Sequence, residues 1–124
     1  MKQEHDRPSQ VTVNLPELLA RVDNDRDLMC ELIGIFKEEF PALLQLLQES
    51  VTCEDTKRVE TTSHALTGML SGLSVTRAAK LAQRLEQMAR AGETVGLADA
   101  LTLFEQAVVN LLPELDGYTT KVEP

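Results

Sequence analysis

The sequence predicts an all-α protein: an antiparallel up-down-up-down four-helix bundle with a short extra N-terminal helix. Three observations carry this. The chain has 124 residues with three Phe, one Tyr and no Trp, and it is rich in Leu, Ala, Glu and Gln. Such a composition favours helix over sheet. Apolar residues recur at spacings of three and four through most of the chain. The gaps between the long periodic stretches are short, which makes consecutive helices antiparallel neighbours. A chain of this length forms one domain and buries about two-thirds of its unfolded surface.

The elements follow in order. Residues 1–13 read as a flexible tail: MKQEHDRPSQ is polar and holds Pro8, and Val11-Thr12-Val13 is too short to found a sheet. Asn14 is a good N-cap, with Pro16 and Glu17 in the first turn, for a short helix to about Val22. Asp23-Asn24-Asp25 breaks that helix and caps the next. The second helix should run from about Arg26 to Ser50 on a stripe of Leu28, Leu32, Ile35, Phe36, Phe40, Leu43, Leu44 and Leu47. Pro41 should kink it without ending it, because the stripe resumes in phase.

Thr52 to Asp55 supplies turn and cap residues for a third helix, which should end near Gly72 to Ser74. Ser74 or Thr76 can cap a fourth, with Ala78, Leu81, Leu85, Met88 and Ala89 as its stripe and Gly92 as its close. A fifth should span about Thr94 to Leu115 on Leu97, Leu101, Phe104, Val108, Leu111 and Leu112, with Pro113 at its end. The bundle domain is thus placed at 14–117, and 118–124 as a C-terminal tail.

Charge and composition exclude several functions. A formal net charge of −8 argues against a nucleic-acid or anionic-membrane surface. Cys30 and Cys53 are unclustered and read as reduced thiols, and two distant histidines make no metal site. The first residues lack the apolar core of a signal peptide, and no apolar run approaches the roughly 18 residues of a membrane span. A soluble, cytoplasmic protein is expected. No phosphate-binding glycine loop is present, so the chain should not use ATP itself. Glu38-Glu39 and Glu54-Asp55 read as exposed helix and cap charges.

One residue stands out. His5 lies in the polar tail, so His64 is the sole histidine of the body. On a helix of about 100° per residue, Val59, Ser63, Leu66, Leu70 and Leu73 fall within about 40° of one line, and His64 lies about 140° from it. His64 should therefore face water. Lys57, Gly68 and Ser71 share its side, and the small residues Thr67 and Gly68 lie one turn on, a floor suited to close approach by a partner. Neutral imidazole is a good nucleophile near neutral pH.

His64-Ala65-Leu66-Thr67-Gly68, followed by Leu73, resembles the phospho-acceptor signature of histidine-containing phosphotransfer (HPt) domains. That pattern is roughly His-x-Leu-Lys-Gly, then a small-residue turn of Asn-Leu-Gly flavour. Thr67 stands at the lysine position, Gly72 at the asparagine and Ser74 at the last glycine. The flanks LLARVDNDRDLMCELIGIFKEEFPALLQLLQ and LAQRLEQMARAGE are also similar to the family, so the resemblance runs from about Asn14 to Asp116.

The resemblance implies the same four-helix bundle and a phosphorelay intermediate. His64 would accept a phosphoryl group from the Asp of a receiver domain and pass it to another receiver. The partners would be receiver domains of response regulators or hybrid kinases, which would bring the Mg²⁺; the chain needs no cofactor of its own and is expected to be a monomer. Thr67, Gly68 and Ser71 would lie on the docking surface, with Arg77, Lys80 and Arg84 as a basic stripe on the fourth helix beside the phosphate. Thr67 carries no charge to hold a phosphoryl oxygen. It leaves open a second reading, a degenerate bundle that binds a receiver-like partner without being phosphorylated.

Overall fold

The computed structural model describes residues 12–120, and the tail residues 1–11, with His5, and 121–124 lie outside that range. Among the described residues six helices follow one another: α1 Leu15–Arg21, α2 Arg26–Thr52, α3 Thr56–Gly72, α4 Thr76–Arg90, α5 Leu97–Val108 and α6 Leu111–Thr120. Among the described residues there is no strand. Three helices begin at side-chain caps. Asn14 accepts the Glu17 amide, Asp25 the Leu28 amide and Asp55 the Arg58 amide, each satisfying a donor that the first turn leaves unpaired. As expected, α2 continues through Pro41.

The core gathers one face of every helix. Met29, Ile33, Phe36, Phe40 and Leu47 of α2 meet Val59, Leu66 and Leu70 of α3, Ala78, Ala82 and Leu85 of α4, and Leu97 and Phe104 of α5. Phe36 and Phe40 stack with centroids 4.8 Å apart. Each fully buried Leu contributes about 1.5–3 kcal/mol relative to exposure, which fixes the rotation of its helix. On α3 the buried line is the predicted one: Val59, Ser63, Leu66, Leu70 and Leu73 are all buried.

Four expectations need correction. In the first half of α2 the inward line is Met29–Ile33–Phe36, while Leu28 and Ile35 are 40% and 53% exposed. Both lines are apolar there, so spacing alone could not choose between them. Neither Ser74 nor Thr76 caps α4; Val75 occupies that place without a side-chain bond. The expected fifth helix is two, parted at Val109 and Asn110, and Pro113 sits in the first turn of α6, where its missing N–H costs nothing. Finally, the placement of the tails is too generous. Val13 is 1% exposed within the core, and α6 runs on through Gly117 to Thr120.

Ser74 explains how α3 turns into α4. Gly72 ends α3, but it is Ser74 that adopts a left-handed backbone, φ 59°. That conformation favours glycine, the residue the resembling pattern has at this position. The Ser74 carbonyl accepts the Asn14 amide at 3.0 Å, tying the start of α1 to this turn. With only Leu73, Ser74 and Val75 between them, α3 and α4 lie side by side and antiparallel: Glu60 meets Arg90 while His64 meets Glu86.

Candidate functional site

His64 projects from α3 with 77% of its side chain exposed. Its buried neighbours Ser63 and Leu66 hold the helix in a rotation that leaves the imidazole outside. One side of the ring is not free. Nδ1 lies 3.0 Å from Oε2 of Glu86 on α4. A carboxylate can only accept here, so Nδ1 carries the proton and donates it, leaving the lone pair of the neutral ring on Nε2.

Glu86 is 7% exposed, on the buried face of α4. The same Oε2 also accepts from Nη2 of Arg90 at 2.7 Å. Nε of Arg90 donates to Oε2 of Glu60 at 3.1 Å, back on α3. The hydrogen bond it donates to Glu60 and the charge of Glu86 raise the Arg90 guanidinium above its ordinary value. Glu60 and His64 are one turn apart on α3, and Glu86 and Arg90 are one turn apart on α4. Three contacts thus link the four side chains across the seam between the helices.

The sequence reading missed Glu86, Arg90 and Glu60 as site residues. A signal for Glu86 exists. It lies four residues after Ala82 and three before Ala89, two small residues buried on α4. A carboxylate on that line had to be buried and therefore paired.

The predicted site residues divide. Gly68 is exposed, and a Cβ built there would meet nothing within 4 Å. It borders a shallow apolar groove with Leu32, Ile35, Phe36, Met69, Gly72 and Leu73. The exposed Ile35 that the core rejected is thus part of this groove. Thr67 and Ser71 line another hollow with Lys80 and Gln83. The Thr67 hydroxyl donates to the Ser63 carbonyl at 2.8 Å, so its one proton is already used within the helix. The basic stripe divides among three hollows. Lys80 opens on the Thr67 hollow, Arg84 on one with Gln87, Met88 and Glu93, and Arg77 on one with Asn14 and Tyr118. Three-and-four spacing put them on one side of α4, yet their long side chains splay into separate hollows.

Other chemistry finds little here. Cys30 is half-buried, Cys53 is exposed, and both are free. Among the described residues no three His, Cys, Asp or Glu side chains could hold a metal ion together, and no helix is long and apolar enough to cross a membrane. The arrangement amounts to one exposed nucleophilic nitrogen, a carboxylate behind it, and an apolar groove alongside.

In comparisons with known proteins, the family described as Hpt domain matches residues 31–116. No curated protein and no solved structure matches the chain.

Proposed function

Since the chain belongs to the Hpt domain family, whose members take part in two-component phosphorelays, we propose that His64 is the residue through which it does so. His64 takes a phosphoryl group from the aspartyl phosphate of a receiver domain and returns it to the Asp of another. The observation that carries this reading is the Glu86–His64 contact on an otherwise exposed ring. Nε2 attacks phosphorus, a P–N bond forms, the acyl-phosphate P–O bond breaks, and the receiver's carboxylate leaves with the bonding pair. The Nδ1 proton stays in place. The ring gains positive charge as the bond forms, and the adjacent Glu86 carboxylate stabilises it. In the reverse step the same charge makes the imidazole a good leaving group.

The receiver supplies the Mg²⁺ and the groups that stabilise the moving phosphoryl oxygens. The groove of Leu32, Ile35 and Met69 beside Gly68 gives it an apolar surface to dock on. The chain acts as a carrier and has no ATP-dependent kinase activity of its own.

The bound hydroxyl of Thr67 favours a second reading, an unphosphorylated module that only binds the receiver, because no free donor stands one turn from His64. One experiment separates them. The protein is incubated with receiver domains charged with radiolabelled acetyl phosphate. Transfer predicts acid-labile, alkali-stable label on the protein and none on His64→Gln, which should melt as the parent does because surface changes stay within about 0.5 kcal/mol. Co-elution with a receiver but no label would establish the second reading. Label persisting in His64→Gln would sink the assignment.

A further inference from the structure

Arg90 lies outside the matched acceptor motif, and its side chain is 61% exposed. Its two contacts are nonetheless specific. Nε holds Glu60 on α3, and Nη2 holds the very oxygen of Glu86 that faces His64. An arginine used only for solubility would not bridge two helices through two different nitrogens. The planar guanidinium fixes the directions of both bonds at once, which a point charge on a flexible stem does not. Glu86 has three side-chain torsions and, without a cation, would share the seam with a second carboxylate, Glu60. Like charges at that range repel, and the mobile partner turns away or takes up a proton. Turning away removes the acceptor from Nδ1, and protonation weakens it.

We propose that Arg90 is a positioning residue of the phospho-acceptor site: clamped to Glu60, it holds the Glu86 carboxylate against Nδ1 of His64 and so keeps the lone pair of the neutral ring on Nε2. In this role Arg90 needs no contact with the phosphoryl group or the receiver. Its effect passes through Glu86, and Glu60 acts one step further back. The kinetic part of this proposal rests on the phosphotransfer role of His64; the tautomer part does not.

The test uses the full chain labelled with ¹⁵N on histidine, as the parent, Arg90→Met, Arg90→Lys and Glu60→Gln. Nitrogen chemical shifts of neutral His64 report the proton's location, and phosphoramidate, a small P–N donor that needs no receiver, reports the nucleophilicity of Nε2. The parent should show the Nδ1–H form in excess. Arg90→Met should shift the population toward Nε2–H and slow labelling by roughly three- to tenfold, the scale of one weakened charge-assisted hydrogen bond. Arg90→Lys, which keeps the charge and loses the fork, should fall between Arg90→Met and the parent. Glu60→Gln should move the tautomer in the same direction by less.

Parental tautomer populations in Arg90→Met would overturn the proposal, whatever the labelling rate. Should Arg90→Met fail to fold, an unmoved tautomer in both Arg90→Lys and Glu60→Gln would overturn it equally. A shifted tautomer in a protein that accepts no phosphate from any receiver would uphold Arg90's role and count against the phosphotransfer reading alone.

Discussion

Glu86 on α4 offers a single oxygen to two donors, the Arg90 guanidinium and Nδ1 of His64. Glu114 on α6 spreads four donors over both of its oxygens. Oε1 accepts the Thr12 amide and hydroxyl, and Oε2 accepts the Val13 amide at 3.2 Å and the Tyr118 hydroxyl at 2.5 Å. Every donor to Glu114 is neutral below about pH 10, so the carboxylate works as a fastener that ties the start of the chain to its last helix. The donors to Glu86 are a permanent cation and a ring able to change its charge. Burial and hydrogen bonding are common to both sites. What separates a structural carboxylate from a chemical one here is whether one of its partners can react.

The widest separation should come from removing each in turn. Glu114→Ala strands two amides and two hydroxyls in a half-buried place, costing about 1–3 kcal/mol. Its melting temperature should fall by roughly 4–12 °C, with phosphoramidate labelling of His64 at the parental rate. Glu86→Ala should show the converse, a melting temperature within a few degrees of the parent and much slower labelling. Slow labelling in Glu114→Ala would mean that the two regions are coupled and that the contrast fails.

A pH series sharpens the same contrast. Burial pushes the Glu114 carboxyl up, but the hydrogen bonds from Thr12, Tyr118 and the two amides outweigh it and hold the group below its ordinary 4.5. With the folded value the lower one, its contribution is present above about pH 4.5 and is lost as pH falls through the folded value. Burial, with the hydrogen bond to Glu114 and its charge, pushes the Tyr118 hydroxyl well above its ordinary 10.0. That contribution is complete below about pH 10 and is lost as pH rises further. The difference in melting temperature between the parent and Glu114→Ala should therefore be flat from pH 6 to 9 and shrink at both extremes. A difference unchanged down to pH 3 would show that the Thr12–Glu114–Tyr118 contacts do not depend on the carboxylate's charge.

Gly68 gives the smallest effect and the finest discrimination. With open space where a Cβ would go, Gly68→Ala should stabilise the chain by about 0.5–1 kcal/mol, or roughly 2–6 °C. Gly68→Gln should gain nearly as much. It should label normally with phosphoramidate yet accept phosphate from a receiver far more slowly, since only the receiver must cross the groove. Equal slowing with both donors would show that the residue acts on His64 itself and not on docking.

The sequence was most informative where one periodicity ruled. On α3 a single apolar line placed His64 outside, and the caps Asn14, Asp25 and Asp55 were visible as residues with obligatory partners nearby. It was ambiguous in the first half of α2, where two apolar lines compete and the losing one forms the groove beside Gly68. The break at Val109 and Asn110 left no trace, because Val108, Leu111 and Leu112 continue the helical spacing across it. The site was half visible. The nucleophile sits in a contiguous motif, but Glu86 and Arg90 reach it from the next helix, and at about 100° per residue Glu86 lies on the side of α4 opposite Arg77 and Arg84.

The short link through Ser74 has a consequence for how the molecule comes together. His64 and Glu86 are 22 residues apart and joined by two helices that form locally, whereas Thr12 and Glu114 are separated by 102. For flexible segments of those lengths the longer closure costs about 1.4 kcal/mol more in entropy. The α3–α4 hairpin can therefore assemble before the two ends of the chain have met. Opening the Thr12–Glu114 fastener exposes the ends of the fold while its acceptor seam stays closed. In hydrogen exchange the amides of residues 12 and 13 should exchange well ahead of those flanking His64 on its buried side.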